Sequence, residues 1–514
     1  MDRIVGIDLG TTNSVIAYTD PAGTTEVIAG QDGGRIVPSA VYFDSNGEIV
    51  VGTAAREQAQ IEPDRVAMLF KRGMGERSFL PDDEDFVVDG KRQSPEELSA
   101  IVLRKLVQMA ADHYGEPVHR AVITVPAYFG EVERAATKAA GKIADLDVVR
   151  IVNEPTAAAI AHGIDHSPEA GKILVFDLGG GTFDVTVMEI GADGSITVIA
   201  TGGDRRLGGM DFDQLIVDRM VSLGRQAGQD IEADGYTRQQ AYIKAEEIKK
   251  KLSFAEKSSQ LLIAGGRPLP IELTRAELEK MLAIRVQEVE DTTLYTLEEV
   301  GLRPADISKV LMVGGSSRIP VFQRRLAELF GREPTFTRNL DEDVARGAAM
   351  LAAKEGGQLD PRTALARRRT QDVISQGLGI TVTDPVTRTD SNSVIVQKNT
   401  PIIADKEDPD GDEEFATIDE GQTGIMIHFN EGDSDDLMYV KEIENSLAPF
   451  GRRVRLGYPI RVKIKVTVDG TIRLWAHDGE TGSLLTEMEI HRPSILSEQQ
   501  QLQARSALAA RKVV

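Results

Sequence analysis

No cysteine occurs in the 514 residues, which excludes disulfides, thiolate metal sites and cysteine nucleophiles and fits a reducing compartment. Positive charge is also scarce: 59 basic against 81 acidic residues leave a net charge of −22 and a pI near 4.9. Duplex nucleic acid would be repelled unless a local basic patch intervened, and the run Arg367, Arg368, Arg369 stands alone. No apolar run approaches the roughly 18 residues of a membrane span. The opening Met1-Asp2-Arg3-Ile4-Val5-Gly6 enters a strand pattern without the charged and apolar regions of a secretion signal. The expectation is a cytoplasmic protein with neither nucleic acid nor membrane among its partners. What is present, 41% hydrophobic and 27% charged residues, buries a core readily and rules out a wholly disordered chain. At 55.9 kDa the chain exceeds what one core supports, so two or three domains are expected.

Up to about Gln358, β-like runs alternate with helical ones, the pattern of an α/β architecture. Val122-Ile123-Thr124-Val125 and Val310-Leu311-Met312-Val313 read as buried strands, while Glu96 to Asp112 and Glu277 to Val300 carry apolar residues at helical spacing. From Gly356 to Asp372, Gly-Gly, Asp-Pro and three arginines with little periodicity mark a linker. Beyond it Arg461 to Val468 alternates polar and apolar residues, and Asp469-Gly470 and Asp478-Gly479 mark tight turns of a small antiparallel sheet domain. The expected division is 1–358, an α/β unit; 359–375, a linker; 376–492, a small antiparallel β-domain; and 493–514, a short Gln/Ala-rich helical tail.

One pattern occurs twice. Ile4-Val5-Gly6-Ile7-Asp8-Leu9-Gly10-Thr11-Thr12 returns as Leu174-Val175-Phe176-Asp177-Leu178-Gly179-Gly180-Gly181-Thr182. In each, an apolar strand delivers an Asp to its end and a Gly/Thr turn follows, so two lobes on one plan are implied. Such turns expose consecutive backbone N–H groups, and glycine lets that backbone approach a phosphate closely. Asp8 and Asp177, one per lobe, suit a Mg²⁺ held through its water shell while the turns grip phosphates. Either half alone is an ordinary Asx-stabilised turn; the pair is not. No Gly-x-x-x-x-Gly-Lys-Ser/Thr occurs at either turn, which disfavours a P-loop NTPase. Further glycine turns at Leu207-Gly208-Gly209-Met210-Asp211 and Val313-Gly314-Gly315-Ser316-Ser317-Arg318 could lie against a nucleoside. Glu246, Lys249, Lys250 and Ser253 share one helix face, which by itself reads as a solvated charged surface.

Ile7 to Ser14, Asp177 to Asp184 and Val313 to Pro320 resemble the three signatures of the seventy-kilodalton heat-shock (DnaK-type) chaperones. Val125-Pro126-Ala127-Tyr128-Phe129 and Arg150 to Ala158 match further family strings. The resemblance implies an actin-like, two-lobed α/β ATPase followed by a small antiparallel β-sandwich, with ATP and Mg²⁺ as cofactors. It implies phosphate and metal contacts from Asp8, Gly10, Thr11, Thr12, Asn13, Asp177, Gly179, Gly180, Gly181 and Thr182. Catalytic roles fall to Lys71, Glu154, Asp177, Thr182 and Asp184, although Lys71 alone would read as a surface lysine. Adenosine contacts fall to Gly208, Gly209, Glu246, Lys249, Lys250, Ser253, Gly314, Gly315, Ser316, Arg318 and Asp341. Pro126 and Arg134 match positions that relay the nucleotide state; Arg150 and Asn153 match relay and J-domain positions.

In the second domain Ile425 falls where the family places its central peptide pocket and Ile418 near its arch. Two departures stand out: Arg388 to Ser393 is polar where the family is Gly/Met-rich, and only some twenty residues follow the sheet where the family has a helical lid. The linker Arg368-Arg369-Thr370-Gln371-Asp372-Val373 keeps the family's Asp and lacks its leucines. Unfolded or extended client polypeptides, a J-domain co-chaperone and a nucleotide exchange factor are the implied partners. The implied function is an ATP-dependent chaperone, with weak coupling between the domains. The alternatives are a nucleotide-responsive scaffold holding one dedicated partner, and a small-molecule kinase of the same fold, for which no sugar-pocket insertion is evident.

Overall fold

The computed structural model describes residues 3–80, 84–165, 171–336, 339–367, 369–403, 408–467, 471–490 and 496–514. The Asp469-Gly470 turn and Arg368 lie outside them.

In the first lobe the strand Ile4–Leu9 pairs in parallel with Arg120–Val125 and antiparallel with Asn13–Thr19, and Asp147–Asn153 extends the sheet. Its sequence is apolar but for Asp8, as a strand covered on both faces requires. The helix Pro95–Tyr114 packs on this sheet. It starts at a Ser94/Glu97 capping box and stops at Gly115 in the left-handed region. The second lobe repeats the plan: Gly171–Leu178 lies between antiparallel Phe183–Ile190 and parallel Lys309–Val313. Between the lobes the alanine-rich helix Asp343–Glu355 joins Ile4 and Val122 of one sheet to Val175 and Leu311 of the other in a single apolar cluster.

The expected helix from Glu277 to Val300 is two helices, Arg275–Met281 and Ala283–Glu298. Buried Leu282 sits at the break with ψ −5°, opened from the helical value of about −42°.

The β-sandwich consists of two four-stranded antiparallel sheets. Ile380, Ile427 and Phe429 of one face Val462, Ile464 and Leu474 of the other, and the strand Pro459–Val466 buries alternate residues as its sequence predicts.

Two segments behave differently from their sequence reading. Residues expected as linker form a short helix, Ala364–Arg367, and a strand, Thr370–Val373. That strand pairs in parallel with Ile196–Asp204 and antiparallel with Pro401–Ile402, so one seven-stranded sheet runs from the second lobe into the β-sandwich. Main-chain pairing needs no hydrophobic pattern, which is why the sequence showed none. The tail helix Glu498–Ala509 lies on the helix Glu131–Ile143 and adds Leu496, Ala504 and Leu508 to the first-lobe core. Beyond it the amide of Ile49 donates to Lys512 O at 3.0 Å and that of Val514 to Ile49 O at 2.8 Å, a single parallel bridge that ties the C-terminal residues to the strand Ile49–Val51. Among the described residues no helix is long and apolar enough to cross a membrane.

Candidate functional site

The two Gly/Thr turns meet face to face between the lobes. A Cβ on Gly180 would strike Thr12 Oγ1, and one on Gly181 would lie 2.6 Å from Thr11 Cγ2, so the approach requires glycine. The turn after Leu207 stacks behind them: the amides of Gly209 and Met210 donate to Gly179 O and Gly180 O at 3.0 and 2.9 Å. Ser316 Oγ donates to Gly179 O at 2.8 Å. Gly314 has φ +80°, and a Cβ there would lie 2.5 Å from Asp177 Oδ1. Four glycine turns thus converge on one cradle. Gly10 and Asn13 close the first turn, and Gly315 lies by Asp341.

Carboxylates ring the cradle. Asp8, at the end of its strand, accepts from Thr124 Oγ1 at 3.1 Å. Burial, reinforced by the charge of Glu154, pushes its pKa up to about 7. The same two causes push Asp184 up to about 7, although Oδ1 accepts from the amide of Tyr128 at 2.9 Å; its Oδ2 is buried without a hydrogen-bond partner. Thr182 lends Asp184 a hydroxyl. Asp177 is raised well above the carboxylate range, first by burial, then by Glu154 and Asp184. So many acids in one place favour a cation among them. Lys71 supplies a cation here: its side chain is 3% exposed, with Nζ 2.6 Å from Glu154 Oε1 and 5.7 Å from the centre of the Phe129 ring.

On the second-lobe side the helix Gly235–Leu252 does not present its four polar residues alike. Lys249 is buried, with Nζ donating to Gly209 O at 2.6 Å and to Asp213 Oδ2 at 2.7 Å, so it props the glycine turn from behind. Ser253 Oγ turns back to Lys249 O at 3.2 Å. Glu246 pairs with Lys250 at 2.7 Å and with Arg56 of the first lobe, which closes one end of the cleft. At the rim Arg318 pairs with Asp341 at 3.1 Å.

A profile of the Hsp70 protein family matches residues 4–507. The chain belongs to the Hsp70 family. It is 42% identical over 441 residues to the chaperone protein DnaK of Thermotoga neapolitana, spanning 84% of this chain and 70% of that protein. The corresponding proteins of Thermotoga petrophila and Thermotoga maritima are 41% identical over the same shares. Membership carries the fold class, an actin-like ATPase followed by a β-sandwich, and the class of function, an ATP-dependent molecular chaperone. A dedicated scaffold is not favoured.

Several residues of this Hsp70 site had no sequence signal. Arg72, neighbour of Lys71, donates through Nε and Nη2 to Gly181 O at 2.9 and 2.6 Å and also holds Asp211, stitching the lobes together at the phosphate turn. Arg56, Thr124 and Asp213 likewise act through partners more than 30 positions away. Arg134 and Asn153 lie in one hydrogen-bonded chain that reaches Asp372 and Ser375. Arg134 donates to Phe129 O at 3.0 Å, Asn153 Oδ1 at 2.5 Å and Ser375 Oγ at 3.3 Å, and Asn153 Nδ2 lies 2.9 Å from both oxygens of Asp372. Arg150 pairs with Glu355 at 2.9 Å. In the β-sandwich Ile425 is half-buried opposite Ala448, while Arg388 donates to Ile418 O and pairs with Asp419 at 2.8 Å.

Proposed function

We propose that this Hsp70 binds MgATP between its lobes, hydrolyses it by in-line attack of water, and uses that cycle to bind and release extended apolar segments of client polypeptides. The observation that carries the reading is the convergence of the two Gly/Thr turns on one cradle ringed by Asp8, Asp177, Asp184 and the Lys71–Glu154 pair. The hard oxygen donors of Asp8 and Asp177 fit Mg²⁺. One such carboxylate on each side of the cradle suits an ion held through its water shell. Bound Mg²⁺ would neutralise charge on the phosphates.

The chain's own residues then do the rest. Backbone N–H groups of Gly10 to Asn13 and Gly180 to Thr182 would orient the phosphates, while the Gly179 N–H closes its own turn on Thr182 O at 3.0 Å, and the ammonium of Lys71, fixed by Glu154, would face the γ-phosphate and the attacking water. Asp184 and Thr182 hold that water. This is catalysis by positioning and electrostatics, with no covalent intermediate. Glu246, Lys250, Arg318 and Asp341 flank the nucleoside. Extended peptide would pair main chain first and seat one apolar side chain at Ile425. A J-domain partner at Arg150 and Asn153, a nucleotide exchange factor, the cytoplasmic location and the domain division at 358, 375 and 492 belong to the same reading. The test is titration of a labelled apolar peptide with ADP and with ATP, beside single-turnover hydrolysis. Peptide binding indifferent to nucleotide, or no turnover, would overturn it.

A further inference from the structure

The helix Glu131–Ile143 starts at Gly130, which has no side chain to cap it. The free N–H groups and positive dipole end of a helix start attract an anion. Here the anion comes from the other domain. Glu431, the last residue of the strand Gln422–Glu431, is 5% exposed, and its Oε1 accepts from the amide of Glu131 at 3.1 Å. Gly130 makes the space, since a Cβ on it would lie 2.7 Å from Glu431 Oε2.

Both ends of this contact lead to function. The same β-strand carries Ile425 six residues earlier. Immediately before Gly130 come Tyr128, whose amide holds Asp184, and Phe129, whose ring faces Lys71 and whose carbonyl is gripped by Arg134 in the first turn of the capped helix. A shift of the Gly130 junction therefore moves two groups of the catalytic cleft, and a shift of the strand moves the peptide pocket.

We propose that Glu431 is a positioning residue: by capping the helix Glu131–Ile143 from the β-sandwich, it links client occupancy at Ile425 to the placement of Asp184 and Lys71. The proposal rests on the chaperone reading above. Glu431 touches no reacting atom and acts through the backbone of residues 128–131.

The experiment compares the full chain with Glu431→Ala, Glu431→Gln and Gly130→Ala. Amide hydrogen exchange at residues 131–134, affinity for a fluorescein-labelled leucine-rich heptapeptide in ADP and in ATP, and steady-state ATP turnover are read on each. Loss of a charged cap is expected to speed exchange at Glu131 about tenfold in Glu431→Ala and in Gly130→Ala, where the added methyl expels the carboxylate. Both should shrink the ADP-to-ATP affinity ratio at least about threefold and change kcat with KM for ATP nearly constant. Glu431→Gln keeps the acceptor and should recover most of each effect, which a merely destabilised fold would not do. Wild-type exchange, ratio and kcat in both Glu431→Ala and Gly130→Ala would overturn the proposal. If the wild type itself binds no peptide, the chaperone reading fails, while exchange and turnover still decide whether Glu431 sets the cleft.

Discussion

The ammonium of Lys71 lies 2.6 Å from Oε1 of Glu154, with the lysine side chain 3% exposed and the glutamate 13%. The pair joins the turn Phe70–Gly73 to the helix Glu154–Asp165 inside the cleft. Breaking a buried pair leaves an uncompensated charge, at a cost of about 3 to 5 kcal/mol.

Lys71→Ala should therefore do two separable things. It should slow single-turnover hydrolysis at least about 100-fold with MgATP affinity nearly intact, because a charge positioned at the transition state is worth several kcal/mol. It should also lower the unfolding temperature, and Glu154→Gln added to it should restore part of that stability without restoring turnover. Unchanged turnover in Lys71→Ala would remove Lys71 from the mechanism.

Asp8→Asn and Asp177→Asn should each weaken nucleotide binding in Mg²⁺ and leave the metal-free affinity much less changed, since a water-bridged ion loses one anionic anchor either way. Calorimetric titration of ATP with and without Mg²⁺ reads this directly. A wild-type Mg²⁺ dependence in both variants would contradict the two-lobe site.

Asp8 and Asp177 were legible because their signal is local: an Asp at a strand end, a Gly/Thr turn, and the same words twice. The α/β alternation and the strand Pro459–Val466 were legible for the same reason, since periodicity of burial is written in the residues themselves. Lys71 was not legible without a family resemblance, because its burial comes from Glu154 and Phe129, 83 and 58 positions away. Arg72, Asp213 and Glu431 are charged residues whose partners arrive only with the tertiary fold, and no spacing announces them. The docked linker strand was hidden for another reason: Thr370 and Gln371 pair by main chain, which any residue but proline can do.

The Lys249–Asp213 contact gives a pH signature. Burial pushes Asp213 up to about 6 against the pull of Lys249. A carboxyl whose folded pKa is raised binds its proton more tightly in the folded state. Its contribution is thus full below about pH 4 and declines as pH rises to about 6, by up to roughly 3 kcal/mol. Asp213→Asn has nothing to titrate, so its stability relative to wild type should rise between pH 4 and 7 and then level off. Urea unfolding followed across that range checks it. A constant difference would mean that Asp213 is ionised throughout.

The expected strength of coupling between the domains turns on the linker strand. Of its strand, Val373 is fully buried and Thr370 and Gln371 are half-buried, with two register pairs to Ile196 and Thr197. Asp372 supplies the specific grip through Asn153, and burial raises its pKa, with Arg134 opposing. Each leucine buried here would add about 1.5 to 3 kcal/mol, and none is present. A ligand shifts an equilibrium only by its differential interaction with the two states. ATP is accordingly expected to change peptide affinity less than about tenfold, or about 1.4 kcal/mol. Leucines at Arg369, Thr370 and Gln371 should enlarge that effect by strengthening one docked state, whereas Asp372→Ala or Asn153→Ala should abolish it. Fluorescence anisotropy of a labelled peptide, in ADP and in ATP on the hydrolysis-deficient Lys71→Ala background, compares the linkers directly. A large ATP effect with the native linker would show that main-chain pairing and Asp372 suffice, and the leucine argument would fall.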